Sequence, residues 1–308
     1  MPRTLLETPL GTFNWHEHWA TIPFPANVEH QGRTHGIAVA RNGNVYVFHQ
    51  AEPAVLVFGA DGQLLESWGN YPGAHGLTLV EEDGEEFFWL TDQERLVVEK
   101  TTLDGRVVRL IKVPDSNAHD PCIPTWVAVN EKRYGGNGDV WVADGYGSSL
   151  VHRFDSEGKY ISTLDGTEGA GRFACPHGIW FDFRKRPMEL YVADRGNHRV
   201  QVYDADGRFQ RSFGEDFLTS PDGFVSDGNL VVVPELLGRV TILDADDKLL
   251  CHMGNNENIC KDPAWPDGTP LAAGSFNSPH GATTDESGSL FVVEWRDGGR
   301  IIKLEKLS

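Results

Sequence analysis

The chain of 308 residues is poor in several features that mark common protein classes. It has only four cysteines, too few for a fold held together by disulfides: Cys122, Cys175, Cys251 and Cys260. Its uninterrupted apolar runs are short, so none is predicted to span a bilayer. The first residues lack the apolar segment of a secretory signal peptide. We therefore expect a protein with no membrane segment in a reducing compartment, the cytoplasm.

Basic residues are also scarce. Lysine and arginine number 27 against 45 aspartates and glutamates, which gives a formal net charge of −18. A protein that grips phosphate backbones needs a basic surface. The overall charge therefore argues against nucleic acid and against anionic membranes as partners.

Glycine, in contrast, is abundant, with 34 residues. Many follow Asn or Asp in dipeptides that favour tight hairpin turns, among them Asn42-Gly43, Asp61-Gly62 and Asp206-Gly207. Short apolar runs of the length of a β-strand lie between these turns. The pattern predicts an all-β protein built from hairpins.

The apolar runs and turns recur in the same order, which identifies six repeated units. The units open at His35, His75, Trp126, His177, Asp222 and His280. Each unit has four runs except the last, which has three, and residues 13–23 can supply the missing outer strand. Such closure is typical of a β-propeller and leaves no exposed sheet edge. We predict one domain over residues 1–308, a six-bladed β-propeller closed by an N-terminal outer strand in the last blade, rather than a β-sandwich without repeats.

Four of the six units open with His-Gly, whereas random placement would give about one such pair in the whole chain. In a propeller the first strand of each blade lines the central channel, so these openings form a ring. His75, His177 and His280 come from alternate blades and are predicted to converge on the axis. Three imidazoles with an open fourth position are typical of catalytic zinc, although imidazole also suits other divalent transition metals. His35 is a candidate fourth ligand or a residue that supports the ligands; an ordinary buried histidine is the alternative for any one of the four.

The second strand of each blade ends beside this ring, and the residues found there are mostly polar. They include His49, Gln50, Asp144, Asp194 and Glu294. These residues are either turn formers or acceptors for the N–H groups of the ligand histidines. Tyr146 and Arg195 lie at the same level and have no turn-forming reason to be there. A phenol beside a guanidinium and a metal can have its pKa lowered enough to act as a base.

The longest connection between blades is residues 251–279. A loop of this length is often functional. Trp265 gives it an apolar contact, so it is either a lid over the channel or a packed surface excursion. We expect Cys251 and Cys260 to be free thiols.

Several motifs resemble known sequences. Single blades look like NHL repeats, and VYVFHQ, HGLTLVEEDGEEFFWLTD, VWVADGYG, PHGIW and LYVADRGN resemble the family of peptidyl-α-hydroxyglycine α-amidating lyases. The resemblance implies zinc bound by His75, His177 and His280, a catalytic tyrosine at Tyr146 and an active-site arginine at Arg195. It also implies cleavage of the C–N bond of a carbinolamide, a small polar hydroxylated compound, to an amide and glyoxylate.

The chain departs from that family at four positions. One is His35, which opens the first blade where the family has a small residue. Gln50 stands where the family has a second active-site arginine. Gly281 stands where the family has an aspartate that helps to bind a structural calcium, so calcium is not expected. Gly147 stands where the family has the disulfide partner of Cys122. These departures predict a divergent, non-secreted relative that is a metal-dependent lyase-like enzyme, not a peptide-amidating one.

Two other functions remain open on the sequence. An NHL propeller without catalytic activity would bind a protein or a ligand on one face, since a fold does not fix a function. A metal-dependent propeller hydrolase of the lactonase kind would need oxygen ligands, for which Glu235 and Glu294 are the candidates.

Overall fold

The computed structural model describes residues 3–23, 30–114, 121–256 and 258–307. In chain order the strands are β1 (Thr4–Thr8), β2 (Gly11–His16), β3 (Thr34–Val39), β4 (Val45–His49), β5 (Val55–Phe58), β6 (Leu64–Trp68), β7 (Ala74–Glu82), β8 (Glu85–Asp92), β9 (Val97–Thr102), β10 (Val107–Ile111), β11 (Trp126–Val129), β12 (Val140–Asp144), β13 (Leu150–Phe154), β14 (Tyr160–Leu164), β15 (Pro176–Asp182), β16 (Glu189–Asp194), β17 (Arg199–Asp204), β18 (Phe209–Phe213), β19 (Val225–Asp227), β20 (Leu230–Glu235), β21 (Arg239–Leu243), β22 (Leu249–Met253), β23 (Pro279–Thr284), β24 (Leu290–Glu294) and β25 (Ile301–Lys306). Short 3-10 helices lie at Lys132–Tyr134, Arg195–Asn197 and Ile259–Lys261. No helix in these described ranges is long and apolar enough to cross a membrane.

The fold is the predicted all-β one, a six-bladed β-propeller, and each blade is an antiparallel sheet. Two compact units divide the blades: a terminal unit, Met1–Asn70 with Asp222–Ser308, and a central unit, Tyr71–Pro221. The terminal unit holds the sheets β3–β6, β19–β22 and β1-β2-β25-β24-β23. The central unit holds the sheets β7–β10, β11–β14 and β15–β18. That residues 1–308 form a single domain remains a prediction.

The predicted N-terminal closure of the last blade is confirmed. Strand β2 pairs antiparallel with β25, and β1 pairs with β2 as a fifth, outermost strand that the repeat pattern did not predict. The closing strand ends at His16, short of residue 23. Trp19 instead packs against Phe58 and Phe291, with ring centroids 6.0 and 4.9 Å apart. Trp19 is thus partly buried without strand pairing.

The core lies along the inner and middle strands of each blade. Strands β4, β12 and β24 are buried at every position, as expected for strands covered on both faces. The outermost strands β6, β10 and β14 are largely exposed. The rigid middle strands therefore fix the first strands, which carry the candidate site.

Each His-Gly pair lies at a β-bulge near the start of a first strand. The register shifts occur at Thr34/Gly36, Ala74/Leu77, Pro176/Ile179 and Pro279/Gly281. A bulge re-aims the side chain that it displaces. The glycine leaves room for the backbone of the neighbouring blade. A Cβ on Gly76 would lie 2.5 Å from the Thr125 carbonyl oxygen. Glycine is required there for close approach of the two backbones.

Candidate metal and catalytic site

His75 is fully buried in the central unit and is held in one tautomer. Its Nδ1 lies 2.8 Å from the Thr125 carbonyl oxygen, which can only accept, so Nδ1 carries the proton. The pKa of His75 is lowered to about 3, mainly by burial and also by nearby Arg195, against the opposing effect of the backbone hydrogen bond. The imidazole is therefore neutral, with its lone pair on Nε2, which is the form that binds metals.

Tyr146 brings this histidine together with His177. The phenol follows β12, and its Oη lies 3.2 Å from His75 Nε2 and 3.1 Å from His177 Nε2. The two imidazole rings are 4.8 Å apart between centroids. Two blades thus aim a ring nitrogen at one phenol oxygen.

The distances from the Tyr146 phenol oxygen to the two Nε2 atoms match the spacing of two ligand atoms on one transition metal ion. Two nitrogens on a tetrahedral zinc, each at about 2.0–2.1 Å from the ion, stand about 3.3 Å apart. The phenol oxygen of Tyr146 is close to that distance from both Nε2 atoms. The phenol oxygen and the two ring nitrogens therefore have the spacing of atoms around one ion, and imidazole nitrogen suits zinc or a similar divalent cation.

Arg195 supplies the positive charge of the site. It begins the 3-10 helix after β16, and its Nη2 lies 3.4 Å from Tyr146 Oη. The same Nη2 lies 3.3 Å from Cys175 Sγ, and the guanidinium carbon is 5.4 Å from the centroid of the Tyr146 ring. Cys175 has a backbone φ of 57°, an uncommon value for a residue with a side chain. Cys175 is partly buried, and nothing in the sequence pattern pointed to this contact.

A pocket of about 480 Å³ opens beside the phenol. Its lining is formed by Pro121, Ile123, Tyr146, Gly147 and Ser148, all in the central unit. The volume is in the range of small-molecule sites. A small polar compound in this pocket would lie next to Tyr146.

His280 in the terminal unit repeats the local arrangement of His75. Its Nδ1 lies 3.1 Å from the carbonyl oxygen of His35, and both imidazoles are buried. Because that oxygen can only accept, Nδ1 carries the proton and Nε2 is the basic nitrogen. The His35 ring packs edge-on against the His280 ring, with centroids 4.5 Å apart, and its own Nδ1 lies 3.2 Å from the Arg33 carbonyl oxygen.

The polar residues at the ends of the second strands hold their own loops. Asp194 accepts hydrogen bonds from the Ala174 N–H and from Arg199 Nε, each at 2.8 Å. Glu294 accepts from the Asn277 N–H at 2.5 Å and from Arg300 Nη1 at 2.9 Å. Burial raises the pKa of Glu294 in spite of Arg300. These carboxylates fix the loops in which they lie. This is the turn-forming role, one of the two roles that the sequence left open for them.

Different surroundings are found for the other residues predicted near the ring, His49 and Gln50, and for the two remaining blade openings, Trp126 and Asp222. His49 is buried with Nδ1 3.0 Å from the Ala54 carbonyl oxygen, and burial lowers its pKa. The Gln50 N–H donates to the Arg33 carbonyl oxygen. Trp126 lies beside His75 and His177, 6.3 Å from each ring. The fifth opening, Asp222, precedes β19 and is not part of a strand.

The long connection begins after Met253, because Cys251 belongs to β22. Its Trp265 donates to the Asn277 carbonyl oxygen at 3.1 Å and packs on Trp295, 6.2 Å away between centroids. All four cysteines are free thiols, as expected for Cys251 and Cys260.

These sheets and their repeated openings define a β-propeller of the NHL type, and the NHL repeat model matches residues 189–203. The chain belongs to the family of NHL repeat-containing proteins. It is 30% identical over 260 residues to NHL repeat-containing protein 3 of Mus musculus, covering 75% of this chain and 73% of that protein.

Enzymes are also among its relatives. The chain is 25% identical over 336 residues to peptidyl-alpha-hydroxyglycine alpha-amidating lyase 2 of Drosophila melanogaster, covering 96% of this chain and 74% of that protein. Among solved structures it is similar to a gluconolactonase from Xanthomonas campestris, with a TM-score of 0.66 and 15% identity over 99% of this chain and 97% of the other. The structural likeness shows the fold alone.

Proposed function

We propose that this propeller is a metal-dependent lyase-like enzyme that acts on a small polar hydroxylated substrate of the carbinolamide type. The observation that supports this best is the convergence of His75 Nε2, His177 Nε2 and Arg195 Nη2 on the phenol oxygen of Tyr146, all within 3.4 Å. A tyrosine placed only for packing has no need of two imidazole nitrogens and a guanidinium. The similarity to an amidating lyase supports the reaction class.

The proposed metal ligands are His75, His177 and His280. The first two share one phenol oxygen in the central unit, whereas His280 is assigned from its equivalent position in the sixth blade and from its matching Nδ1 hydrogen bond. A zinc ion or similar cation held by three imidazoles acts as a Lewis acid toward a hydroxyl or carbonyl oxygen. The chain itself supplies the proton transfer and the fixed positive charge.

Tyr146 is proposed as the base. The guanidinium of Arg195, 3.4 Å away, favours the phenolate over the phenol. The phenolate takes the proton of the substrate hydroxyl, and the carbon–oxygen bond becomes a carbonyl as the carbon–nitrogen bond breaks. Tyr146 then gives the same proton to the departing amide nitrogen, which regenerates the phenolate. Arg195 stabilises the anionic charge that develops during this step. The pocket lined by Tyr146, Gly147 and Ser148 receives the substrate.

The metal site is tested by elemental analysis of untagged protein. We expect bound zinc or another transition metal in the wild type, and we expect His177→Ala to lose one equivalent while it remains folded. His16→Gln, a change at a half-exposed residue on β2, is the matched control and should keep its metal. A wild type without transition metal, or a His177→Ala protein that keeps both metal and turnover, would overturn the proposal.

The reaction class is tested with an N-acyl-α-hydroxyglycine, with glyoxylate release as the measurement. Glyoxylate formation that depends on His177 supports the lyase. Hydrolysis of a simple sugar lactone without glyoxylate release would favour the lactonase alternative suggested by the neighbouring fold. That alternative is weakened by Glu235 and Glu294, whose carboxylates are already hydrogen-bonded by Arg239 and Arg300. If the protein shows neither activity and contains no metal, a propeller that only binds a partner would be favoured.

A further inference from the structure

A second cluster of metal-binding side chains lies in the central unit. Cys122, Asp144 and His152 each offer a ligand atom, and the three atoms lie within 4.8 Å of one another. All three side chains are buried, with 5%, 1% and 2% of their surface exposed. Asp144 ends β12, His152 lies in β13 and Cys122 precedes β11, so the cluster joins three separate segments.

His152 shows the clearest sign of a missing ligand. Its Nδ1 lies 2.8 Å from Thr163 Oγ1, whereas its Nε2 is buried and has no hydrogen-bond partner among the described residues. Buried polar atoms normally have a partner. An imidazole held by a hydrogen bond at Nδ1, with a buried Nε2 that has no partner among the described residues, is the arrangement found in many metal-binding histidines.

Asp144 is held in place by backbone. Its Oδ1 accepts from the Ile123 N–H at 2.8 Å and from the Gly147 N–H at 3.0 Å, and Oδ2 accepts from the Ser148 N–H at 2.9 Å. Gly147 permits this geometry, because a Cβ there would lie 2.2 Å from Asp144 Oδ1. The carboxylate is thus fixed rather than free to turn toward solvent.

The charges that Cys122 and Asp144 can carry would be balanced by one divalent cation. Cys122 is not in a disulfide, and its thiol hydrogen-bonds the Asp144 carboxylate. When a metal replaces the thiol proton, a thiolate and a carboxylate together balance a divalent ion, which makes the buried assembly neutral. Without the ion the thiol keeps its proton and donates it to the carboxylate.

We propose that Cys122, Asp144 and His152 form a second metal site, distinct from the three-histidine site. One sulfur, one nitrogen and one oxygen ligand suit zinc and other borderline-soft divalent ions, whereas calcium and magnesium prefer oxygen alone. The ion would fasten the segment before β11 to the β12–β13 hairpin. Because Asp144 is two residues from Tyr146, the ion would also restrain the turn that carries the proposed base.

The test uses the full chain, stripped with a chelator and titrated with Co²⁺. A thiolate bound to Co²⁺ gives a charge-transfer band in the near ultraviolet that histidine ligands do not give. We expect the band in the wild type, its loss in Cys122→Ser and its loss or marked weakening in His152→Gln. Cys260→Ser, which removes another free thiol, is the matched control and should keep the band.

His177→Ala separates this site from the three-histidine site, because it should lose one equivalent of Co²⁺ and keep the thiolate band. A wild type without the band, or a band that survives Cys122→Ser, would overturn the second site. If Cys122→Ser does not fold by circular dichroism, the wild type and His152→Gln decide. An unchanged band in folded His152→Gln would also contradict the proposed ligand set.

Discussion

The Nη2 atom of Arg195 lies 3.4 Å from the phenol oxygen of Tyr146 and 3.3 Å from the sulfur of Cys175. One guanidinium therefore joins two groups that can carry negative charge. An always-protonated side chain in this position is the neighbour that the proposed phenolate of Tyr146 requires. The proposed base depends on this contact.

Replacement of Arg195 by Gln should lower turnover of a carbinolamide by about 10²–10³-fold, the usual effect of losing one stabiliser of developing charge. It should also move the rise of activity with pH to higher pH, because the phenolate loses its cationic neighbour. The pH dependence of glyoxylate release measures both effects. Arg172→Gln, at an exposed residue paired with Asp165, should change neither. An unshifted pH profile would contradict the role of Arg195.

Replacement of Tyr146 by Phe should remove only the phenol oxygen. We expect turnover to fall by about 10²–10⁴-fold, as for loss of a general base, while the metal stays bound to its histidines. Parallel elemental analysis and single-turnover kinetics test this expectation. Loss of metal together with activity would indicate instead that Tyr146 is a ligand.

Replacement of Gly76 by Ala should destabilise the central unit by about 1–3 kcal/mol, the cost of forcing extra atoms into a packed interior. The added Cβ would meet the Thr125 carbonyl oxygen, which also anchors His75. Metal affinity should therefore fall together with the melting temperature. Gly84→Asn is the control, because a Cβ there meets nothing within 4 Å and Asn tolerates its positive φ. An unchanged affinity in Gly76→Ala would show that the close approach does not position His75.

Glu17 links the closing strand β2 to the rest of the last blade through hydrogen bonds. Arg300 donates to both of its carboxylate oxygens at 2.7 Å, and Trp15 Nε1 donates at the same distance. Burial alone would raise the pKa of Glu17, but these bonds outweigh it and leave the pKa below the ordinary value of 4.5. Such a carboxylate stabilises the fold above its unfolded pKa, and the contribution disappears as the pH falls through its folded pKa.

We therefore expect Glu17→Gln to reduce the free energy of unfolding by about 1 kcal/mol at pH 7. The difference from the wild type should vanish well below pH 4.5. Chemical denaturation at several pH values measures the difference, with Glu7→Gln on the exposed side of β1 as the control. A difference that is constant with pH would show that the charge of Glu17 is not responsible.

The repeat pattern was sufficient to predict the fold because each blade must bury the same apolar runs between the same turns. It did not predict β1, since Thr4–Thr8 adds an outer strand that no other blade has. The repeat pattern also extended the closing strand beyond His16, because tryptophan is common in strands. In the structure Trp19 lies in a loop and packs against Phe291 from there.

The candidate site could be predicted only as a set of positions. Blade symmetry and family resemblance drew attention to His75, His177, Tyr146 and Arg195, and the structure brings these four together. The cluster with His152 could not be predicted, because LVHRF reads as an ordinary core strand and Cys122 is thirty residues away in sequence. Burial and an unsatisfied ring nitrogen become visible only in three dimensions.

The pairing of β2 with β25 also constrains when the last blade can form during synthesis. Strand β2 leaves the ribosome well before its partner, Ile301–Lys306, which is made almost three hundred residues later. A chain grows by about 5–20 residues per second. For many seconds, therefore, one edge of β2 and the indole of Trp15 lack the partners that β25 brings, and this strand stays prone to wrong pairing until β25 has been translated.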